Sequence, residues 1–295
     1  MMQDAARTWT VAALVDGDDP TVRTRRLTAF EQAFVLIVVA EYWLRAIPKW
    51  GLLGWHYHVL LGVATLAGAA IVGVAALRRA GFALLAAAHV VLLWSEFPSS
   101  GNHAYLELYV CLLAVLLRRD DPDEGLLELR ALRWLAVIVL FFSGVQKLAH
   151  GYWVNGEYLT FSLGSETYRA LLGWTLPVDE LARIARLRGE VGDGPYRVAS
   201  TPLLLLANGT WLAEIGLAPA LVWRRTRALA LPLALILLAA IELVAREVFF
   251  GLVFASLIGL FARRDRQSAA RWLVAAALLV LALSRLGVLP EVTYY

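Results

Sequence analysis

The sequence predicts an all-α fold, a polytopic integral membrane bundle of about nine transmembrane helices whose N-terminus is cytoplasmic. The first observation is composition, because 60% of the 295 residues are hydrophobic and the mean hydropathy is +0.65. A soluble core cannot bury so large an apolar fraction. The second is that the apolar residues form runs of about 20, the length that crosses a hydrocarbon core of about 30 Å. The third is a basic cluster in every second loop.

Nine apolar runs meet the length criterion, although several are short. They are residues 28–47, 57–77, 81–97, 103–117, 132–150, 203–223, 228–245, 248–262 and 269–289. The division is weakest in 228–262, where only Glu242, Arg246 and Glu247 interrupt the apolar residues. One span and two spans both remain open there, and the choice decides on which side the chain ends.

The basic clusters set the predicted orientation, because Lys and Arg are enriched in cytoplasmic loops. The clusters are Arg23, Arg25 and Arg26; Arg78 and Arg79; Arg118, Arg119, Arg130 and Arg133; Arg224, Arg225 and Arg227; and Arg263, Arg264, Arg266 and Arg271. Residues 1–27 are therefore expected to be a cytoplasmic segment and residues 28–295 the transmembrane domain. The loop 151–201 is then extracytoplasmic.

This long loop contains a pattern typical of an amphipathic helix. Leu181, Ile184 and Leu187 recur at helical spacing beside three arginines. Two placements remain open, a helix lying on the membrane and a surface helix packed on the bundle.

Several classes of function lose support from the sequence. The basic residues are spread over short loops, so no basic stripe indicates a nucleic-acid partner. Cys111 is the only cysteine, which excludes an intrachain disulfide and argues against a thiolate metal cluster. Because the chain has no HExxH, GxSxG, Walker or GxGxxG motif, zinc, hydrolase and nucleotide chemistry are not indicated, and we expect no metal.

Ionisable residues inside apolar spans are costly and therefore candidates for function. Lys147 lies fourteen residues after Arg133, which corresponds to a depth of about 21 Å from the inner side. His103 lies fifteen residues before Arg118, at about 22 Å, and Glu242 comes to a similar height. Glu214 and His89 fall nearer mid-membrane, at about 15 Å.

The position of Lys147 allows two interpretations. Its long stem can carry the ammonium group to the outer interface, with Trp153 as an aromatic-belt anchor. Alternatively it points into the bundle with Ser143 and His150 on one helical face, while Gly144 admits a close neighbour. A desolvated lysine has a lowered pKa and can act as a general base.

The other polar residues have simple structural interpretations as well. His103 is commonly an interfacial or core histidine, and Asn102 can cap a helix. His89 and Glu96, seven residues apart on one helical face, are expected to form a hydrogen-bonded structural pair. Glu214 is expected to bond a neighbouring helix.

Two segments converge on one family. FFSGVQKLAHGYWVNGEYL, residues 141–159, resembles the signature of the HTTM (horizontally transferred transmembrane) domain, which includes the vitamin K-dependent gamma-carboxylases. GNHAYLELY, residues 101–109, is similar to the family's N-H-x-Y-L segment, and AEIGLAPALVWRRTR is more weakly similar to a third. The residues that carry the resemblance are Gly144, Lys147, Leu148, Trp153, Gly156 and Glu157; Asn102, His103, Tyr105 and Leu106; and Glu214 and Pro219.

The resemblance implies a catalytic base at Lys147 that deprotonates a reduced quinone of the vitamin K or menaquinol type. His103 is implied as a second catalytic residue and Asn102 as a substrate ligand, and we expect Tyr105, Trp153, Glu214 and Glu242 to line the substrate site. In the family, oxygen converts the quinol to its epoxide, and a glutamyl side chain of a peptide loses a proton and adds carbon dioxide. A bacterial cell membrane with an extracytoplasmic active site is the implied location.

Two departures from the family keep the substrate open. The large extramembrane domain that follows the bundle in the carboxylases has no counterpart before Tyr295, and Glu242 stands where members often have histidine. A peptide substrate or partner protein would then be supplied in trans. The alternative is a non-catalytic membrane subunit that binds a lipid or peptide for a partner, as in peptide toxin maturation. A transporter is a third hypothesis.

Overall fold

The computed structural model describes residues 19–46, 54–97, 102–119, 121–164, 166–187, 196, 200–245 and 247–262. Within these residues every regular element is helical, so the all-α prediction is confirmed. The α-helices are α1 (Pro20–Ala46), α2 (Trp55–Gly73), α3 (Arg78–Glu96), α4 (Asn102–Leu116), α5 (Pro122–His150), α6 (Glu157–Ser162), α7 (Glu166–Leu172), α8 (Val178–Leu187), α9 (Thr201–Val222), α10 (Arg224–Ala245) and α11 (Val248–Gly259). Short 3₁₀ turns occupy Ala75–Leu77 and Gly173–Thr175.

Four stretches in the described residues are long and apolar enough to cross a membrane. They are Pro20–Leu44, Trp55–Gly73, Ala75–Glu96 and Thr201–Val222. His103–Leu116 and Val248–Gly259 are shorter apolar helices. The chain is therefore a helical membrane protein. Nine spans and a cytoplasmic N-terminus remain predictions, and the predicted span 269–289 lies outside the described residues.

Two helices begin two turns or more before their predicted spans. α1 begins at Pro20, which suits the first turn of a helix because proline lacks the amide hydrogen that would be unsatisfied there. α5 begins at Pro122, where the Asp121 carboxylate accepts hydrogen bonds from the amides of Asp123 at 2.9 Å and Glu124 at 3.1 Å. Arg26 and Arg130, two members of the predicted cytoplasmic clusters, consequently lie within helices.

The region 228–262 contains two helices, since α10 ends at Ala245 and α11 begins at Val248. α10 contains an internal proline, Pro232, and the preceding helix α9 contains Pro219. Each is tolerated within an otherwise apolar helix, as is common for membrane helices.

The described chain forms two compact units, each of which has its own packing. The first comprises α1 to α4, α5 as far as Ala136, and α11. In it α3 packs against α2 and α4, and α11 packs against α1 and α4. The second comprises α5 from Val137 onward and α6 to α10, in which α9 packs against α10 and α6.

The segment predicted as a long loop folds into α6, α7 and α8 with a small core of its own. Leu159, Leu163, Leu176, Ile184, Leu203 and Ala207 form this core. Ile184 and Leu181 of α8 pack on it, while Arg183 forms an ion pair with Glu180 one turn earlier. This contact favours a surface helix packed on the protein. The side of the membrane on which the segment lies stays a prediction.

Candidate functional site

The site around Lys147 depends on a close approach between α5 and α9 at Gly144. A Cβ atom at Gly144 would lie 2.7 Å from Ile215 Cγ1, 2.8 Å from the Trp211 carbonyl oxygen and 3.0 Å from Glu214 Cβ. A real side chain does not fit there without moving the α9 backbone. The absence of a side chain at Gly144 therefore lets Glu214 reach the polar row on α5, as the small residue predicts.

Lys147 forms a closed polar cluster with Glu214 and Ser143. Its Nζ atom lies 2.8 Å from Glu214 Oε1, 2.9 Å from Oε2 and 2.7 Å from Ser143 Oγ. Ser143 Oγ in turn donates to Glu214 Oε1 at 3.2 Å. The side chains of Lys147 and Glu214 are 16% and 3% exposed. Lys147 therefore points into the second unit instead of extending toward the outer interface.

The turn after α5 places an aromatic ring beside this amine. Lys147 Nζ lies 5.2 Å from the centre of the Trp153 ring, a cation–π distance, and the Trp153 ring stacks on Tyr158. The two glycines of the turn, Gly151 and Gly156, have φ values of +72° and +70°. Such values favour glycine because other residues are strained there.

Local hydrogen bonds explain why the W-x-x-G-E spacing holds this turn. The Gly156 amide donates to the Trp153 carbonyl at 3.0 Å, which closes the turn directly before α6. Asn208 of α9 donates its amide nitrogen to the Val154 carbonyl at 3.1 Å. Asn208 also accepts from the Trp211 indole at 3.0 Å. Sequence reasoning missed Asn208, although an asparagine inside an apolar run was a usable signal.

His150, which was expected on the face of Lys147, instead stacks its ring on Tyr152. Glu242 lies in α10 of the same unit and is partly buried. Of the residues predicted for the site in the second unit, the structure thus brings Lys147, Glu214, Ser143 and Trp153 together.

The remaining predicted site residues belong to the first unit. His103 is buried, and its Nε2 atom lies 2.8 Å from Glu41 Oε1 of α1. Asn102 is the first residue of α4, and its side chain lies outside the described residues. Tyr105 is 39% exposed. Because His103 and Lys147 fall in different units, their predicted pairing stays a prediction.

The predicted partner of His89 is wrong. His89 Nε2 lies 2.7 Å from Glu107 Oε2 of α4, not beside Glu96. Seven residues along a helix span about 10.5 Å, which is too far for a direct bond between side chains that point the same way. A neighbouring helix supplies the acid instead, and a single sequence does not reveal how two helices are rotated against each other.

Some arginines of the predicted topology clusters also hold the first unit together. Arg78 donates to Glu31 at 2.9 Å and to Glu128 at 2.6 Å, and Arg119 donates to Glu31 at 2.8 Å. The Arg133 guanidinium, fully buried, donates to the Leu260 carbonyl at 2.8 Å. These contacts satisfy the charges within the protein, as buried charges require.

Comparison with known proteins adds no support to the family resemblance and does not contradict it. No family model, no curated protein and no solved structure matches the chain. The described residues contain no group of three or more His, Cys, Asp or Glu side chains that could hold a metal ion.

The chemistry available at Lys147 is proton exchange. An amine and a carboxylate in direct contact, largely shielded from water, can share or pass a proton, and Ser143 links the two groups by its hydroxyl. The fold and the site together define a helical membrane protein in which a partly buried lysine pairs with a buried carboxylate beside an aromatic ring.

Proposed function

We propose that the chain is a membrane enzyme that oxidises a reduced quinone of the vitamin K or menaquinol type with oxygen and releases the quinone epoxide. The observation that supports this most directly is the buried contact of Lys147 with Glu214 and Ser143 below Trp153. The residues of this contact belong to the segments that carry the resemblance to the vitamin K-dependent carboxylases.

The structure favours the Lys147–Glu214 pair, not an isolated neutral lysine, as the proposed base. With Lys147 as ammonium and Glu214 as carboxylate, Glu214 accepts a proton while Lys147 donates a hydrogen bond to the oxygen that loses it. The pair then carries one additional positive charge, and the deprotonated quinol oxygen beside it carries one new negative charge, so the net charge of the site is unchanged. This matters because an uncompensated charge is expensive in a buried site.

A bound quinol would supply the acidic hydroxyl group and the electrons that reduce oxygen. The residues present fit such a molecule in two respects. The acid–base pair lies near the middle of α9, one of the helices long enough to cross the membrane, where lipid-soluble molecules dissolve. Trp153 adds a flat aromatic surface within 5.2 Å of the amine.

The proposal includes finer elements that rest on the resemblance. His103 is a second catalytic residue, and Asn102, Tyr105 and Glu242 bind substrate. The protein is a nine-span bundle in a bacterial cell membrane with the site on the extracytoplasmic side. Carbon dioxide and a peptide glutamate supplied in trans are the co-substrates of a coupled carboxylation.

The test is oxygen uptake and epoxide formation by purified protein in lipid nanodiscs given vitamin K hydroquinone. We expect Lys147→Ala and Glu214→Gln each to abolish both, because the proposed base is the pair. The chain offers a matched control, because Lys49 is its only other lysine and Lys49→Ala should leave activity intact.

The same assay can overturn the proposal. Epoxide formation that is undiminished in Lys147→Ala removes the lysine from catalysis. Wild-type protein that consumes no oxygen with any quinol is instead a non-catalytic subunit. Incorporation of labelled carbon dioxide into a glutamate-rich peptide, measured in a parallel reaction, tests the carboxylation separately.

A further inference from the structure

The first unit contains a cluster of four buried ionisable side chains that the proposed quinol chemistry at Lys147 does not use as a group. They are Glu41 of α1, His89 of α3, and His103 and Glu107 of α4. Each is at most 5% exposed, and His89 is fully buried. Such residues in apolar helices are costly to keep, which makes the cluster a candidate for function.

The pair of His89 and Glu107 holds one exchangeable proton. His89 Nδ1 lies 2.9 Å from the Leu85 carbonyl oxygen, and because a carbonyl can only accept, Nδ1 carries the hydrogen. Nε2 lies 2.7 Å from Glu107 Oε2. Either Glu107 is the acid and donates to Nε2, or His89 is an imidazolium that donates to the carboxylate. The two forms differ by the transfer of one proton across a short hydrogen bond.

A second pair of the same kind lies next to the first. His103 Nε2 lies 2.8 Å from Glu41 Oε1. His103 precedes Glu107 by one turn of α4, about 6 Å along the helix axis. Tyr42, which follows Glu41, packs its ring edge-on against His89 at 5.8 Å between ring centres. The second pair lies at the start of α4 and the first lies one turn further in.

The carboxylate of Glu107 can accept a further proton. Its Oε1 atom is buried and makes no hydrogen bond within the described residues, whereas Oε2 is taken by His89. Glu107 is 2% exposed, so bulk water does not replace the missing partner. A carboxylate with an unpaired oxygen at such a place is costly because the buried charge is incompletely compensated, and protonation removes that charge.

The surroundings contain few other groups that titrate. On α4 the thiol of Cys111 lies one turn beyond Glu107 and is buried, and Tyr105 lies between the histidine and the glutamate in sequence. α3 adds Arg78 and Arg79 at its start and Glu96 at its end, and α11 contributes Ser256 as its polar residue. α2 carries His56, Tyr57 and His58 in its first turn and is apolar beyond them apart from Thr65. On α1, Arg45 follows Glu41 by one turn, and its side chain lies outside the described residues.

We propose that Glu41, His103, His89 and Glu107 form an intramembrane proton-exchange site in which Glu107 takes up and releases one proton. On uptake a bond forms between the proton and the Glu107 carboxylate, and on release that bond breaks, with no change of oxidation state. The Glu41–His103 pair passes the proton between Glu107 and the start of α4 by exchanging its own. Proton uptake at Glu107 needs neither a quinol nor Lys147, although the proposed function also assigns His103 to the quinol reaction.

The first experiment is infrared difference spectroscopy of wild-type protein in nanodiscs, with and without ¹³C-labelled glutamate, across the pH range in which the protein stays folded. We expect the carbonyl band of a protonated carboxylic acid to change with pH, to shift on labelling, and to be absent in Glu107→Gln. Glu166→Gln, which alters an exposed glutamate, is the matched control and should leave the band in place.

The second experiment counts protons after a pH jump with an indicator dye. Wild-type protein should bind one proton more than Glu107→Gln, and His89→Gln should shift the pH at which this proton binds. A carboxylic band that stays constant with pH in wild-type protein overturns the proposal, as does an equal proton count in Glu107→Gln. A wild-type band that does not change with pH overturns the proposal even if a variant fails to fold, and neither measurement needs a quinol.

Discussion

Removing the carboxylate of Glu214 should destabilise the second unit strongly. Glu214→Leu leaves the Lys147 ammonium without the two oxygens that lie 2.8 and 2.9 Å away. Among the described residues, the Ser143 hydroxyl and the Trp153 ring remain as its partners. Breaking a buried ion pair on one side costs about 3 to 5 kcal/mol. Because Lys147 is 16% exposed and keeps these two partners, we expect the lower end, about 3 kcal/mol.

The double substitution Lys147→Met with Glu214→Leu should recover most of this loss, since it removes both charges and fills the space with apolar atoms. The assay is reversible unfolding in mixed micelles, analysed as a double-mutant cycle with both single variants. A coupling energy of about 2 kcal/mol or more supports the contact. A Glu214→Leu variant as stable as wild type, with coupling near zero, would refute a buried pair at this position.

Three further changes test the elements that build the site. Gly144→Ala should push α5 away from α9 and reduce both thermal stability and Lys147-dependent activity, because the Trp211 carbonyl belongs to the backbone and cannot move easily. Gly209→Ala, which has open space around it, should be neutral in the same thermal-unfolding assay. Gly156→Ala should cost about 1 to 2 kcal/mol through its positive φ, measured by chemical unfolding. The backbone amides of Glu124 and Asp123 lower the pKa of Asp121, so its carboxylate should stabilise α5 above about pH 3.8 and lose this effect as the pH falls below it; the stability difference from Asp121→Ala should shrink in acid.

The long apolar helices could be predicted from the sequence, but not all of their boundaries and not the short helices α6 and α7. Apolar runs mark the part of a helix that contacts lipid or core, so α2, α3 and α9 begin and end within a few residues of the predicted limits. α1 and α5 extend further, and polar residues in their N-terminal halves find partners inside the protein. Arg26 and Arg133 both donate to the Leu260 carbonyl, a contact between segments far apart in sequence.

The site could be predicted only in part, because the position of a residue along its helix does not show where the tip of a long side chain lies. Depth along the helix axis separates Lys147 from Glu214 by about 6 Å, which argues against a bond between them. Helical side chains lean toward the N-terminus of their own helix, and the Lys147 amine accordingly reaches Ser143, one turn earlier. At that level it meets Glu214. Counting Cα positions misplaces a long side chain by about one turn.

The partners of His89 and His103 were beyond prediction because they depend on helix rotation. Each histidine bonds a glutamate on a different helix, Glu107 and Glu41. A single sequence shows that a residue is polar and where it lies along its helix, but it does not show which neighbouring helix its face meets. The hydrophobic periodicity gives little help, since these helices are apolar on almost every side.

The Lys147 amine lies at the level of Ser143, against the middle of α9. This position determines how the binding of a ligand to that amine must be measured. Under the proposed function the ligand is a lipid-soluble quinol, whose abundance is a mole fraction of the lipid and not a molar concentration in water. Diluting the buffer at a fixed lipid-to-ligand ratio should leave its occupancy unchanged, whereas adding empty lipid should lower it. For this protein the bilayer composition is therefore a kinetic variable in its own right.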